Sequence, residues 1–466
     1  MQINSIVLAA GKGKRMKSKL YKVLHPVCGK PMVGHVVDML EGLNCSRKVV
    51  VVGHGAEAVQ QYLGDRAEFV LQAEQLGTGH AVLQAADLLA DSEGVTLVVC
   101  GDTPLVREES LRKMLQLHEE KGAAATILTA ELPNPFGYGR IVRNQAADVI
   151  AIVEQKDCTP EQAAVKEFNT GTFVFDNRKL FSALRRVTNS NNQNEYYLTD
   201  VIGILRADGE KIVGYLTDDA DESIGVNDRV ALADAEGKMR ARINREHMLN
   251  GVTFEDPSST YIEAGVMIGA DTRIMAGTML RGKTVIGEEC VIGPNAELTD
   301  TTVADRATVK HSVLLEASVG SGTSVGPFAY LRPGAKLGED VKVGDFVEVK
   351  NATIGNGSKV SHLSYVGDAV IGENVNMGCG SITVNYDGFN KHVTEVGDNA
   401  FVGSNVNLIA PVKIGKGAFV VAGSTITKDV DDDTMAVARE RQVNKPGYAA
   451  RLRGRLESKK NAGKNE

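Results

Sequence analysis

The chain has 466 residues, 43% of them hydrophobic, and a formal net charge of −7 at pH 7. That length suffices for two or three domains with sizeable cores, and the acidic balance argues against general nucleic-acid binding. No apolar run approaches the roughly 20 residues of a membrane span, and the N-terminus lacks the charged-then-apolar order of a signal peptide, so a cytoplasmic protein without a membrane partner is expected.

The first stretch with chemistry in it is "SIVLAAGKGKRMKS", Ser5 to Ser18. It is not a Walker loop, which needs four residues between its glycines and a Gly-Lys-Ser/Thr ending. Nor is it a dinucleotide fingerprint: after Gly11 and Gly13, Met16 holds the third glycine position, and no acidic ribose partner follows at the usual distance. Lys12, Lys14, Arg15, Lys17, Lys19 and Lys22 nevertheless make a basic cluster on an acidic background, and an anionic ligand is the simplest reason for it.

Short β-branched runs follow at intervals, "INSIVLAA", "KVVVVG", "EFVLQ", "VTLVVCGD" and "AAATILTA", separated by helical patterns such as Pro31 to Leu43 and Gly79 to Leu89. This alternation predicts a mostly parallel, doubly wound sheet. Ligands of such sheets collect at the carboxyl ends of the strands, where both the glycine loop and "CGD" fall, and that shared place links Gly11 to Asp102. Val230 to Leu249, charged and almost free of glycine, reads as a connecting helix. The six cysteines, Cys28, Cys45, Cys100, Cys158, Cys290 and Cys379, include no Cys-x-x-Cys pair, so reduced thiols are expected rather than zinc or a disulfide framework.

Beyond the helix the rule changes to a period of six. Ile268, Ile274, Leu280, Ile286, Ile292 and Leu298 start it, Val325, Leu331, Leu337, Val343 and Val349 resume it, and Ile354, Val360 and Val366 follow after one slip. An interruption from about Gly372 to Glu395 precedes Val396, Val402, Leu408, Ile414, Val420 and Ile426. Hexapeptide repeats of this kind form a parallel β-helix, each hexapeptide being one side of a triangular coil with its aliphatic residue inward. Residues one coil apart then stack at about 4.8 Å. Arg332 and Lys350 stack in this way at a position where neighbouring repeats place Gly. They read as an anion clamp, or more blandly as two solvated cations on a prism face. His362 follows, with Tyr365 near it and Asn376, Asn385 and Tyr386 in the interruption, groups suited to sugar binding and to proton removal. By register Asp345 lies one coil below His362, where it would orient the ring. His311 and His392 read as surface or loop residues.

"LAAGKGKRM", "KVLHPVCGKPM", "LQAEQLGTGHA", "GDTPL", "GYGRIVR", "VEQKD" and "FNTGTFVF" resemble the sugar-phosphate nucleotidyltransferases. Joined to "RPGAKLG", "VEVKNATIG", "SHLSYVGD" and "NYDG", they resemble over nearly the whole chain the bacterial bifunctional N-acetylglucosamine-1-phosphate uridyltransferase/glucosamine-1-phosphate N-acetyltransferase family. The resemblance implies an α/β chain: a Rossmann-like doubly wound nucleotidyltransferase domain over 1–229, a linker helix over 230–250, and a left-handed parallel β-helix acetyltransferase domain over 251–466. It implies acetyl transfer from acetyl-CoA to glucosamine 1-phosphate, then uridylyl transfer from UTP to N-acetylglucosamine 1-phosphate with release of pyrophosphate. The product would feed peptidoglycan and, where present, lipopolysaccharide synthesis.

For the first site it implies Arg15 and Lys22 as catalytic cations at a glycine turn leading into a helix. Leu8, Ala9, Ala10, Gly11, Gly101, Gln72, Gly77 and Thr78 would surround UTP, Gly139, Glu154 and Asn169 would line the sugar side, and Asp102 and Asn227 would hold Mg2+. Without the resemblance Glu154 reads as a surface charge and Asn169 as a turn residue. Tyr21 stands where the family usually has Pro, an exchange that would loosen the loop or alter its approach to the triphosphate; with Lys22 retained, weakened binding at most is expected. For the second site the resemblance implies His362 as general base and Arg332, Lys350, Tyr365 and Asn376 on glucosamine 1-phosphate. Asn385 and Tyr386, beside the sugar, together with Cys379, Ser404, Ala422 and Arg439 would meet acetyl-CoA. Cys379 replaces the family's common Ala. A homotrimer is implied, with sites shared between subunits, and a basic tail, "RLRGRLESKKNAGKNE", is expected to fray. On the residues alone two other readings stay open: a single-activity nucleotidyltransferase whose repeats only assemble, and a non-catalytic nucleotide-sugar sensor.

Overall fold

The computed structural model describes residues 2–462. Contacts within the chain divide it into two units: the first runs to Asn250 and takes in Thr260–Val266, and the second comprises Gly251–Ser259 and the described chain from Met267 onward.

In the first unit, nine strands form one sheet: β1 Ile3–Ala9, β2 Arg47–Val52, β3 Glu68–Leu71, β4 Val95–Cys100, β5 Ala125–Glu131, β6 Arg140–Arg143, β7 Val149–Val153, β8 Glu167–Asp176 and β9 Ile212–Leu216. Their order is β9-β5-β8-β4-β1-β2-β3, with β6 pairing β8 and β7 at the side. β1 runs parallel to both β2 and β4, and β9 is parallel to β5. β8 is antiparallel to β4 and β5, and β6 to β7, so the sheet is mixed where the alternating pattern predicted mostly parallel pairing. The chain winds outward from β1 in one direction through β2 and β3, while β4 lies on its other side. The crevice beyond the carboxyl ends of β1 and β4 is therefore a topological switch point.

Val49, Val51 and Ile6 on one face of the sheet and Val50, Val52 and Val7 on the other join two separate buried clusters, as strands covered on both faces require. The predicted Gly79–Leu89 helix is broken, into Thr78–Leu83 and Ala86–Leu89. The helix Arg229–Leu249 is capped by Asp228, whose carboxylate accepts from the amides of Val230 and Ala231. Its Ala235 and Met239 are buried with Val27, Met32, Leu105 and Val226, so it packs as part of the first unit.

The second unit is a parallel coil. Its short strands pair at each turn with the equivalent strand one coil on, in one ladder of 11 strands and another of 17. Of the inward aliphatics, Ile274, Leu280, Leu298, Val343, Val366, Leu408 and Val420 are all fully buried, while Ile268, near the start of the coil, is only half-buried. Two details depart from the six-residue rule. Several coils advance by 17 residues rather than 18, as in Val343↔Val360, because one side can be five residues long. The interruption also begins later than expected: Met377 and Thr383 keep the inward register, both buried, and only Asn385 to Val393 leaves it as a loop. The tail forms a helix, Tyr448–Ala462, with no residue buried. Arg, Leu, Ala and Lys favour helix there, against the expected fraying; residues 463–466 of that stretch lie outside the described residues.

Candidate active sites

The crevice at the switch point holds a cavity of about 250 Å³ lined by Leu8, Ala9, Ala10, Gly11, Lys22, Gln72, Gln75, Gly77, Thr78, Asp102 and Glu195 among others. β1 delivers Leu8 to Gly11 and β4 delivers Gly101 and Asp102, with the Gly101 amide donating to the Leu8 carbonyl at 2.9 Å. The Lys22 ammonium pairs with the Asp102 carboxylate and lies 3.3 Å from Asn227 Oδ1, so two hard oxygen donors converge on one cation. Gln72, 3% exposed, donates its amide to Gly77 O at 3.1 Å. Gly77 has φ +116° and a side chain there would reach 2.5 Å from the Tyr196 carbonyl, so only glycine fits. The Thr78 hydroxyl accepts from the Leu198 amide.

The loop between β1 and Lys22 differs from expectation in two respects. After Gly13 it makes a single 3-10 turn, Lys14–Met16, rather than opening a long helix; Arg15 is exposed on that turn and close enough to the Tyr138 phenol to act on it electrostatically. Tyr21 does not loosen the loop. Its φ of −64° is the value proline would impose, it is buried, and its hydroxyl donates to the Ala9 carbonyl at 2.7 Å. Burial pushes that phenol up to about 12.

On the sugar side, β8 carries a bulge between Asn169 and Phe173 that turns Asn169 toward β6. The Asn169 amide donates to Gly139 O at 2.8 Å. The Glu154 carboxylate lies beside Gly139 and accepts from the Thr199 hydroxyl at 3.1 Å. Glu154 is not a solvated charge: burial, and then the neighbouring Asp157, Asp200 and Glu195, push its carboxyl up. Tyr138 and Glu195, which the sequence reading passed over, belong to this surround; a tyrosine and a glutamate with no spacing signal gave no reason to single them out.

In the second unit one edge of the coil carries a column of candidates. Asp345 pairs in register with His362, and the expected contact is present: His362 Nδ1 lies 2.7 Å from Asp345 Oδ1. The imidazole holds the Asp345 carboxyl below the usual carboxylate range. Register carries the column on from His362 to Cys379, since Val360 pairs with Met377, and then to Ser404 and Ala422, since Met377 pairs with Val402 and Val402 with Val420. The Asn405 amide donates to Cys379 O and the Gly423 amide to Ser404 O, each at 2.8 Å. Ser404, Ala422 and Arg439 are exposed, and the Arg439 side chain passes close to Gly423.

Arg332 and Lys350 stack as predicted, one coil apart, since Leu331 pairs with Val349. Arg332 also meets Glu348 at 2.8 Å. Gly367 continues their column, since Lys350 pairs with it, and the Tyr365 ring lies over it; a side chain at Gly367 would fall 2.3 Å from the Tyr365 hydroxyl. A further cation, missed in the sequence, joins them: Lys391 of the inserted loop, whose ammonium is pushed down by hydrogen bonding to Lys350 and by its charge. The loop is pinned by Asp387, which accepts from the amides of Phe389 and Asn390 and from His392. Asn385 is buried with its amide on Asp368, while Tyr386 is exposed, its hydroxyl donating to Gly388 O. His311 lies tilted against Phe328, ring centroids 5.6 Å apart. Asn376 stands in the 11-strand ladder that also carries Asp345 and His362, whereas Arg332 and Lys350 belong to the 17-strand one.

Residues 5–193 match the MobA-like NTP transferase domain family, residues 262–345 the GMPPB C-terminal domain, and residues 394–428 the bacterial transferase hexapeptide family. Fold, pocket and coil together define a nucleotidyltransferase joined to a left-handed β-helix transferase. Over 448 residues the chain is 57% identical to the Bifunctional protein GlmU of Geobacillus sp. strain WCH70, covering 96% of this chain and 98% of that one. It is 58% identical over 451 residues to the same protein of Brevibacillus brevis strain 47, covering 97% and 98%, and 58% over 444 residues to that of Exiguobacterium sibiricum, covering 95% and 99%. The chain belongs to the bifunctional GlmU family. Among the described residues no helix is long and apolar enough to cross a membrane.

Proposed function

We propose that the protein makes UDP-N-acetylglucosamine from glucosamine 1-phosphate in two reactions, one on each unit. The observation that carries the two-activity reading is the Asp345–His362 pair on the edge that also bears Cys379, Ser404 and Ala422. A coil that served only for assembly would have no need of an imidazole tethered to a carboxylate. His362 Nε2 takes a proton from the 2-amino group of glucosamine 1-phosphate as the nitrogen attacks the thioester carbonyl of acetyl-CoA, the carbon–sulfur bond breaks and CoA leaves. Arg332, Lys350 and Lys391 hold the sugar phosphate, and Tyr365 packs against the ring.

In the first unit the phosphate oxygen of N-acetylglucosamine 1-phosphate attacks the α-phosphorus of UTP in line and pyrophosphate departs, a reaction governed by positioning and charge neutralisation. Lys22 and Arg15 balance the phosphate charge, Gln72, Gly77 and Thr78 take the uracil, and Gly139, Glu154 and Asn169 take the sugar. The donor set fits magnesium: the Asp102 carboxylate and the Asn227 amide oxygen converge on a cation, the Lys22 ammonium. Asp102 and Asn227 would hold the ion, which when bound supplies charge neutralisation at phosphate oxygens.

A homotrimer is the proposed assembly. Phe328, Phe346 and Leu363 are 56%, 58% and 57% exposed, all at positive φ, with Phe328 and Phe346 stacked 5.5 Å apart. An apolar ladder of this kind beside His362 suits cover by a neighbouring copy. The workplace proposed is the cytoplasm, where UTP and acetyl-CoA are supplied.

The test follows products by chromatography from glucosamine 1-phosphate, acetyl-CoA, UTP and magnesium. His362→Ala should lose acetyl transfer yet still uridylylate supplied N-acetylglucosamine 1-phosphate, and Asp102→Ala should accumulate that intermediate. Wild-type protein that releases no CoA and uses only the acetylated sugar would leave the coil an assembly module.

A further inference from the structure

His80 lies on the short helix Thr78–Leu83, and its imidazole stands between two glutamine amides. Gln72 Nε2 is 3.1 Å from its Nδ1, and Gln84 Nε2 is 3.1 Å from its Nε2. A neutral imidazole has one lone pair and one N–H, so it cannot accept from both. The buried amide decides which. Gln72 Nε2 also faces the Gly77 carbonyl at 3.1 Å; a carbonyl can only accept, so the nitrogen must stay there and its second hydrogen needs an acceptor. That acceptor is the Nδ1 lone pair. Gln84 Nε2 also lies 3.0 Å from the His80 carbonyl, but this side chain is half-buried and can give up that bond to water, turning its oxygen to Nε2–H, whereas the Gln72 amide, 3% exposed, has no solvent to turn to. With both hydrogens of the Gln72 amide spent on Gly77 and His80, its oxygen is what remains for a ligand in the cavity that Gln72 lines.

We infer that His80 is a positioning residue for base selection: together with the Gly77 carbonyl it locks the Gln72 amide with its oxygen toward the cavity, so the site accepts a pyrimidine carrying N–H at ring position 3 and rejects one carrying a lone pair there. Uracil is the first kind and cytosine the second. The inference rests on the reading of Gln72 as the base contact. Without His80 the amide is held by the Gly77 carbonyl alone, and having lost one of the two acceptors that fix its nitrogen it turns more readily to offer its NH2, which suits cytosine. The lock is therefore a device of selectivity, since a site built to meet an N–H leaves its acceptor unpaired against the wrong base.

The test uses the full chain and supplied N-acetylglucosamine 1-phosphate, and compares kcat/KM for UTP with that for CTP. Acetyl transfer by the same preparation reports that the chain is folded. His80→Leu should lower the UTP preference about tenfold, the worth of one misdirected hydrogen bond, chiefly by raising KM for UTP and admitting CTP. His80→Asn, whose side-chain oxygen falls near the place of Nδ1, should restore the preference, whereas His80→Gln, whose acceptor lies further out, should not. Equal preferences for wild type and His80→Leu, or for the Asn and Gln variants, would overturn the lock. Gln72→Leu separates the two readings: if it loses UTP preference while His80→Leu does not, only the lock fails, and if it changes nothing, Gln72 is not the base contact and both fail.

Discussion

Replacing Lys22 with methionine removes the cation from between Asp102 and Asn227 while keeping the apolar stem. The Lys22 and Asp102 side chains are only 13% and 15% exposed. Breaking a buried pair on one side costs about 3–5 kcal/mol, because a charge is left without its partner; with this residual solvent access about 2 kcal/mol is expected, or roughly 4–8 °C in Tm for a unit of this size. Two further results follow from the same geometry. Lys22→Met combined with Asp102→Asn should recover most of the loss, since no bare carboxylate remains, and millimolar magnesium should raise the Tm of Lys22→Met more than that of wild type, the vacated oxygens being free to hold it. Differential scanning calorimetry with and without magnesium reads all three. A Lys22→Met protein that melts with the wild type and gains nothing from magnesium would refute the claim that the lysine occupies a cation position shared by Asp102 and Asn227.

Asp345→Asn should lower kcat of acetyl transfer about tenfold with little change in KM, while uridylyl transfer is untouched, because a ring no longer tethered by a carboxylate spends less time aimed at the amine. Glu154→Gln should raise Tm at pH 8 and weaken the sugar substrate. Burial raises the folded carboxyl, so its ionised form costs stability above that range, and the Tm advantage of Gln should fade as pH falls and Glu154 takes up its proton; an advantage that grows toward acid would reverse the sign and refute the argument. Gly367→Ala should raise KM for glucosamine 1-phosphate about tenfold and leave KM for acetyl-CoA alone, since the new methyl displaces the Tyr365 ring; steady-state kinetics in each substrate distinguishes the two.

The coil was legible because one physical rule, an aliphatic residue inward at every side, repeats along it. The same rule locates Asp345 under His362 and Arg332 under Lys350. It misplaced the interruption, because Met377 and Thr383 fill inward positions without being aliphatic and so fall silent in the pattern. In the first unit the β-branched runs revealed β1 to β5, but the reversal of β8 was hidden: "FNTGTFVF" alternates as any strand does, and nothing local encodes its direction. Tyr21 was misjudged because backbone torsion was credited to proline alone, whereas a buried ring and one hydroxyl bond to Ala9 O hold the same φ. Lys391 carries no spacing signal. It reaches Lys350 only through a loop whose course is set by Asp387 and Asn385, contacts that exist once the chain has folded.

The edge bearing Asp345, His362, Cys379, Ser404 and Ala422 acts as a ruler. Each member sits one rung, about 4.8 Å, from the next, so the reach from the imidazole to any contact along the edge comes in whole steps. The Asn385–Val393 loop enters between Cys379 and Ser404 in sequence without lengthening that interval, because the extra residues leave the coil and return to the same register. Sequence can thus be added sideways at no expense to the graduation. Losing a full coil between His362 and Ala422 would instead shorten the scale by one division at a stroke, and a long extended molecule gripped along it would miss its mark by that whole step.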